Sequence, residues 1–165
     1  MKTSLFITIV IGLAVIGLAA LYLVKPDWPE PDPHVNRAGS VHKLVAYKSP
    51  TCGCCANWVA IMRIKGYKVE DVSSDKELEA VKEKYNIPES LYSCHTTIVN
   101  DGQYYIEGHI PEEAIVKLME EEPDIKGIGM PGMPSASPGM PGNKLAPFDI
   151  SKVHENGHIT QFMSV

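Results

Sequence analysis

Residues 49–55, Ser-Pro-Thr-Cys-Gly-Cys-Cys, decide how this chain is read. Before them, His42-Lys43-Leu44-Val45-Ala46-Tyr47 is a short apolar run bounded by Ser-Pro, the pattern of a strand. After them, Trp58, Val59, Ile61, Met62 and Ile64 recur at helical spacing, which predicts a helix over 55–65 packed on a sheet. Cys52, Cys54 and Cys55, three of the four cysteines, therefore fall on a strand-to-helix turn. The unpaired N–H groups of a first helical turn carry partial positive charge and favour thiolate over thiol. A thiolate is both the stronger nucleophile and the metal ligand. Three cysteines in four residues beside a glycine fit a buried apolar role or a plain structural disulfide poorly.

Outward from that turn, Gly66 is placed to end the helix and 67–72 reads as a second strand. Ser73 or Ser74 caps a helix over 75–85, with Leu78, Val81 and Tyr85 on one face. Asn86-Ile87-Pro88 breaks it. A loop over 89–95 leads to a strand over 96–100, and Asp101-Gly102 marks a tight hairpin turn before a strand over 103–107. The last helix, 111–121, has Pro111 in its first turn and Glu112 and Glu113 near its positive end. The order β-α-β-α-β-β-α, over about 80 residues, is that of a thioredoxin-like α/β core. In that arrangement the loop carrying Cys94 lies beside the cysteine-bearing turn, so a residue remote in sequence joins Cys52, Cys54 and Cys55.

The flanks differ in composition. Residues 5–24, LFITIVIGLAVIGLAALYLV, are 20 uninterrupted apolar residues, enough at about 1.5 Å per residue to cross a core of roughly 30 Å. Residues 1–24 are therefore expected to be an N-terminal transmembrane helix. They run into Lys25-Pro26-Asp27 without a small-x-small cleavage site, which favours an uncleaved anchor over a signal segment removed on secretion. Lys2 and the amino terminus place the short side in the cytoplasm and the domain in a periplasm or exterior, an oxidising compartment where free thiols pair. Residues 25–41, with four prolines, read as a tether. Residues 42–123 form the compact domain. Residues 124–143 are Met/Pro/Gly-rich, a composition that does not bury a core, and repeat Met-Pro at Met130, Met133 and Met140. Residues 144–165 read as a β-hairpin turning at Asn156-Gly157. With 15 Lys and Arg against 20 Asp and Glu, no basic patch speaks for nucleic acid.

Four chemistries compete for the cysteines. Cys52 and Cys55 have the C-x-x-C spacing of a thiol-disulfide oxidoreductase, but Cys54 and Cys94 then stand by as thiols that invite scrambling. One Zn(II) on four thiolates carries charge 2−, and adjacent Cys54 and Cys55 reach one ion awkwardly. Four cysteine ligands also suit an iron–sulfur cluster, although C-x-C-C is not a standard ferredoxin spacing. Four Cu(I) bridged by four thiolates sum to zero charge, and bridging lets crowded sulfurs serve different ions. Cu(I) on Cys52, Cys54, Cys55 and Cys94 is the preferred reading. His95 and His109 are further ligand or proton-shuttle candidates. The thioethers of Met130, Met133 and Met140 are soft donors suited to Cu(I).

Four blocks in this order, residues 49–55, Ser93-Cys94-His95-Thr96, Glu107-Gly108-His109-Ile110-Pro111 and Gly129-Met130-Pro131-Gly132-Met133-Pro134, carry a family resemblance. Over roughly residues 44–142 the chain resembles the CopG-like thioredoxin-fold family, domain of unknown function 411, of periplasmic copper-resistance proteins. The resemblance implies a multinuclear copper cluster on Cys52, Cys54, Cys55 and Cys94. It also implies a role in copper detoxification that extends to Cu(I)/Cu(II) interconversion. The partners it implies are copper ions and copper efflux or chaperone proteins.

Overall fold

The structure is a computed structural model that describes residues 43–165. The anchor and tether expected over 1–41 lie outside the described residues, among which no helix is long and apolar enough to cross a membrane.

β1 (Lys43–Lys48), α1 (Gly53–Ile64) and β2 (Lys68–Ser73) open the chain as a parallel crossover unit, with Lys43 opposite Lys68 and Lys48 opposite Ser73. α1 begins where the Cys52 sulfur accepts from the Cys55 amide at 3.3 Å, so a cysteine serves as the N-cap. It ends at Gly66, whose φ of 94° lets the Tyr67 amide turn back to the Met62 carbonyl. α2 (Asp75–Lys84) is capped by Ser74, whose hydroxyl accepts from the Glu77 amide. β3 (His95–Val99) and β4 (Tyr104–Glu107) form an antiparallel hairpin, and α3 (Glu112–Glu121) follows. The β-α-β-α-β-β-α order expected from the sequence is present, in a mixed α/β chain with one sheet and three helices among the described residues.

The seven strands run in the order β2-β1-β3-β4-β5-β6-β7. Alternation along the central strands sends Leu44, Ala46, Val99, Tyr104 and Ile106 to one face, against Trp58, Val59 and Met62 of α1 and Ile115 and Leu118 of α3. Ile98 and Tyr105 face the other way, onto Val81 of α2, Ile87 and Leu91. Helices thus cover both faces. Burying each large apolar side chain contributes about 1.5–3 kcal/mol, so the sheet's centre holds the ends of β1 and β3 firmly where the cysteines sit.

Two sequence expectations change. The tight turn at Asp101-Gly102 is a three-residue 3-10 turn, Asn100–Gly102, with Asn100 and Asp101 both at positive φ. Short polar side chains tolerate that conformation, and the connection from Val99 to Tyr104 holds four residues, two more than a two-residue turn allows. The Met/Pro/Gly tract was expected to bury nothing. Instead β5 (Gly127–Gly129) lies parallel to β4, and Ile125, Ile128 and Met130 join the core. Glycine there is what permits the close pairing: a Cβ on Gly127 would stand 2.3 Å from the Tyr105 carbonyl oxygen. β6 (Asp149–Val153) and β7 (Ile159–Ser164) pair antiparallel and extend the same sheet from β5.

Candidate metal centre

The sulfur cluster is assembled from two segments that the central strands bring to one end of the sheet. β1 delivers the turn in which the Cys52 amide donates to the Ser49 carbonyl, and Cys54 and Cys55 occupy the first turn of α1. The register of β1 with β3, Lys48 opposite His95, places Cys94 directly across from that turn. All four sulfurs lie within 4.8 Å of one another. Cys52 and Cys55 are joined as a disulfide, with Cα atoms 5.3 Å apart, while Cys54 and Cys94 are free. The Cys52 and Cys54 sulfurs are 3.5 Å apart. Burial first, and the neighbouring Cys54 second, push the Cys94 thiol up to about 11. Without a cation, Cys94 therefore keeps its proton at neutral pH.

The two histidines converge on the same point. His109 is fully buried, and its Nδ1 lies 2.7 Å from the Pro138 carbonyl. A carbonyl only accepts, so Nδ1 carries the proton and the Nε2 lone pair faces the Cys94 sulfur at 3.0 Å. His95, also fully buried, packs between the Trp58 and His109 rings, each centroid 4.8 Å away. Its Nδ1 is 3.8 Å from the Cys94 sulfur, and its Nε2 has no hydrogen-bond partner among the described residues. An unsatisfied buried group of this kind costs about 1–3 kcal/mol. Burial lowers both imidazoles, His95 to about 3 with help from His109, so both are neutral and ligand-ready at physiological pH.

A strap over residues 130–142 crosses the cysteine turn. Ser93 Oγ donates to the Gly132 carbonyl at 2.6 Å, and Asn57 donates to the Gly139 carbonyl at 3.4 Å. Gly139, at φ +87°, packs so closely on α1 that a Cβ would meet the Cys54 carbonyl oxygen at 2.5 Å and the Trp58 amide at 2.8 Å. The strap separates the three methionines. Met133 is 50% exposed with its sulfur 3.9 Å from Cys54. Met130, 2% exposed, is a core residue, and Met140 is half-buried within the strap's own turn.

One functional support was not read from the sequence. Glu107, fully buried at the end of β4, accepts from the Ser93 amide at 2.7 Å, from the Thr96 hydroxyl at 2.5 Å and from the buried Lys82 ammonium. Lys82 also donates to the Ser93 carbonyl. The ion pair therefore grips both polar atoms of the Ser93 backbone, one residue before Cys94. A Lys in a helix of charged residues reads as solvent-facing, and only the tertiary contact reveals it. Burial raises the Glu107 pKa, while Lys82, Thr96 and Ser93 oppose the shift.

A buried-to-half-exposed group of thiols and neutral imidazoles on a strand-to-helix turn defines a thiol-based metal or redox protein. Residues 91–140 match the family described as "Protein of unknown function, DUF411". Two solved structures resemble the whole domain. "Copper resistance protein copG- Form 2" is 31% identical, with a TM-score of 0.69, covering 76% of this chain and 99% of that one. "Copper resistance protein copG- Form 1" is 32% identical, with a TM-score of 0.67, covering 74% and 96%. No curated protein matches. The chain belongs to the CopG-like DUF411 copper-resistance family.

Proposed function

We propose that this chain is a thioredoxin-like copper(I)-binding protein of copper resistance or handling, held at a membrane by residues 5–24 with its domain in the periplasm or exterior. Cys52, Cys54, Cys55 and Cys94 hold a multinuclear Cu(I)-thiolate cluster. The observation that carries this reading is four sulfurs from two remote segments within 4.8 Å. The donor set fits the cargo: sulfur is soft, bridging neutralises the charge, and each Cu(I) takes the place of thiol protons that burial otherwise retains. Loading requires the Cys52–Cys55 bond to open. A small-molecule or protein dithiol supplies two electrons, becoming a disulfide itself and leaving two thiolates here. Met133, exposed and beside Cys54, is the thioether placed to meet incoming copper. Copper efflux or chaperone proteins are the partners this role calls for.

Reduced, oxygen-free protein loaded with Cu(I) and desalted, then analysed for copper and thiols, tests the reading. Several coppers per chain, lost together in Cys94→Ser, support a shared cluster. Reduced wild-type protein that retains no copper, or copper that stays in full in Cys94→Ser, contradicts it. The disulfide itself favours a second reading, a thiol-disulfide or copper oxidoreductase working through Cys52 and Cys55. That reading predicts unchanged turnover of a disulfide substrate when Cys54 and Cys94 are both replaced by serine.

A further inference from the structure

We propose that Cys94, His95 and His109 form a second metal position, richer in nitrogen, that takes a borderline divalent ion such as Cu(II) while Cys52 and Cys55 are joined. The inference rests on reading this end of the sheet as a copper-handling site, and it assigns that site a second ion class.

Two overlapping donor groups are present. One is the four cysteines; the other is Cys55, Cys94, His95 and His109, whose ligand atoms also all lie within 4.8 Å of one another. They share Cys55 and Cys94. Closing the Cys52–Cys55 bond removes two of four donors from the sulfur group and only one from the mixed group. What remains there is one thiol and two imidazoles, a His2Cys set that suits Cu(II), Zn(II) or Co(II) where four sulfurs suit Cu(I).

The imidazoles are prepared as ligands rather than merely buried. The bond from His109 Nδ1 to the Pro138 carbonyl fixes the tautomer and aims Nε2 at Cys94, the arrangement that outer partners impose on metal-bound histidines. His95 is committed to no partner at Nε2 and turns Nδ1 toward the same sulfur. For metal–sulfur and metal–nitrogen bonds of about 2.3 and 2.1 Å, a tetrahedral edge spans about 3.6 Å. The His95 separation of 3.8 Å meets this, and the 3.0 Å Cys94–His109 contact is that of a thiol proton shared with Nε2. A metal ion replacing that proton opens the contact by about 0.6 Å. Cys94 loses one proton, and no electrons change hands.

The test is an anaerobic Co(II) titration of the full chain with Cys52–Cys55 closed and Cys54 and Cys94 free, Co(II) being unable to oxidise the remaining thiols. The expected result is one ion per chain, with a thiolate-to-cobalt charge-transfer band and tetrahedral visible absorption. His95→Asn and His109→Gln each weaken binding by at least about tenfold. Cys54→Ser, which takes a sulfur from the four-cysteine group only, leaves the spectrum in place. Near-ultraviolet circular dichroism, sensitive to Trp58 against His95, verifies that each variant is folded. The inference is overturned if no charge-transfer band appears, or if the band survives both histidine changes in folded protein. Cu(I) loading of the reduced wild type, measured alongside, separates the cases: normal Cu(I) uptake with no Co(II) site defeats this inference alone.

Discussion

Replacing Glu107 by glutamine removes the charge that anchors the loop behind Cys94 while keeping the side chain's shape. Glu107 is fully buried and accepts three hydrogen bonds, and its partner Lys82 is 6% exposed. The glutamine oxygen still serves Lys82 and the Ser93 amide, and its NH2 group turns to the Thr96 hydroxyl, which can accept. What is lost is the counter-ion of a buried ammonium. Breaking such a pair from one side costs about 3–5 kcal/mol, a large part of a typical domain's 5–15 kcal/mol. Lys82→Met leaves the opposite orphan, a carboxylate that burial already raises and that loses its main opposing charge. A carboxyl whose folded pKa lies above its unfolded value contributes stability below the unfolded pKa and loses it as pH rises through the folded one. Lys82→Met should therefore be mildest in acid and grow more destabilising toward neutral pH. Urea unfolding followed by far-ultraviolet circular dichroism at several pH values reads both effects. A Glu107→Gln midpoint equal to wild type, or a Lys82→Met midpoint that rises with pH, would refute the reasoning.

Four further outcomes are expected. Met130→Ala, in the core, should destabilise by about 2–5 kcal/mol without lowering the copper content of protein that remains folded. Met133→Ala should leave the unfolding midpoint unchanged and slow Cu(I) uptake in stopped-flow transfer from a competing chelator. Gly139→Ala forces a Cβ against the Cys54 carbonyl and the Trp58 amide at a positive φ, so the strap must lift. Protease nicking within residues 130–142 should accelerate while the remainder of the domain stays resistant. Because the Cys94 thiol is held up to about 11, Cu(I) binding at neutral pH should release a proton from it. Apparent Cu(I) affinity should rise with pH across the neutral and alkaline range, measured against a chelator of known pH dependence.

The strand-to-helix turn and the approach of Cys94 were legible because both follow from element order, and element order follows from periodicity at Leu44–Tyr47, Trp58–Ile64 and Ile98–Ile106. Less accessible was everything decided by tertiary contact. Gly127-Ile128-Gly129 carries no strand signature of its own and becomes β5 because glycine alone fits against the Tyr105 backbone. Composition marked Met130, Met133 and Met140 as equivalent, whereas burial divides them into a core residue, an exposed thioether and a turn residue. His95 and His109 looked like loop histidines, yet both are fully buried, His95 at the start of β3 opposite Lys48 and His109 two residues past the end of β4. The C-x-x-C spacing did point to the Cys52–Cys55 bond, as one of several chemistries that sequence alone left open.

Copper X-ray absorption on the reduced, Cu(I)-loaded protein bears most directly on the proposed cluster. The account predicts a first shell of sulfur only, with a short copper–copper vector that disappears in Cys94→Ser. A first shell containing nitrogen or oxygen, or sulfur ligation with no copper–copper scattering, would contradict it.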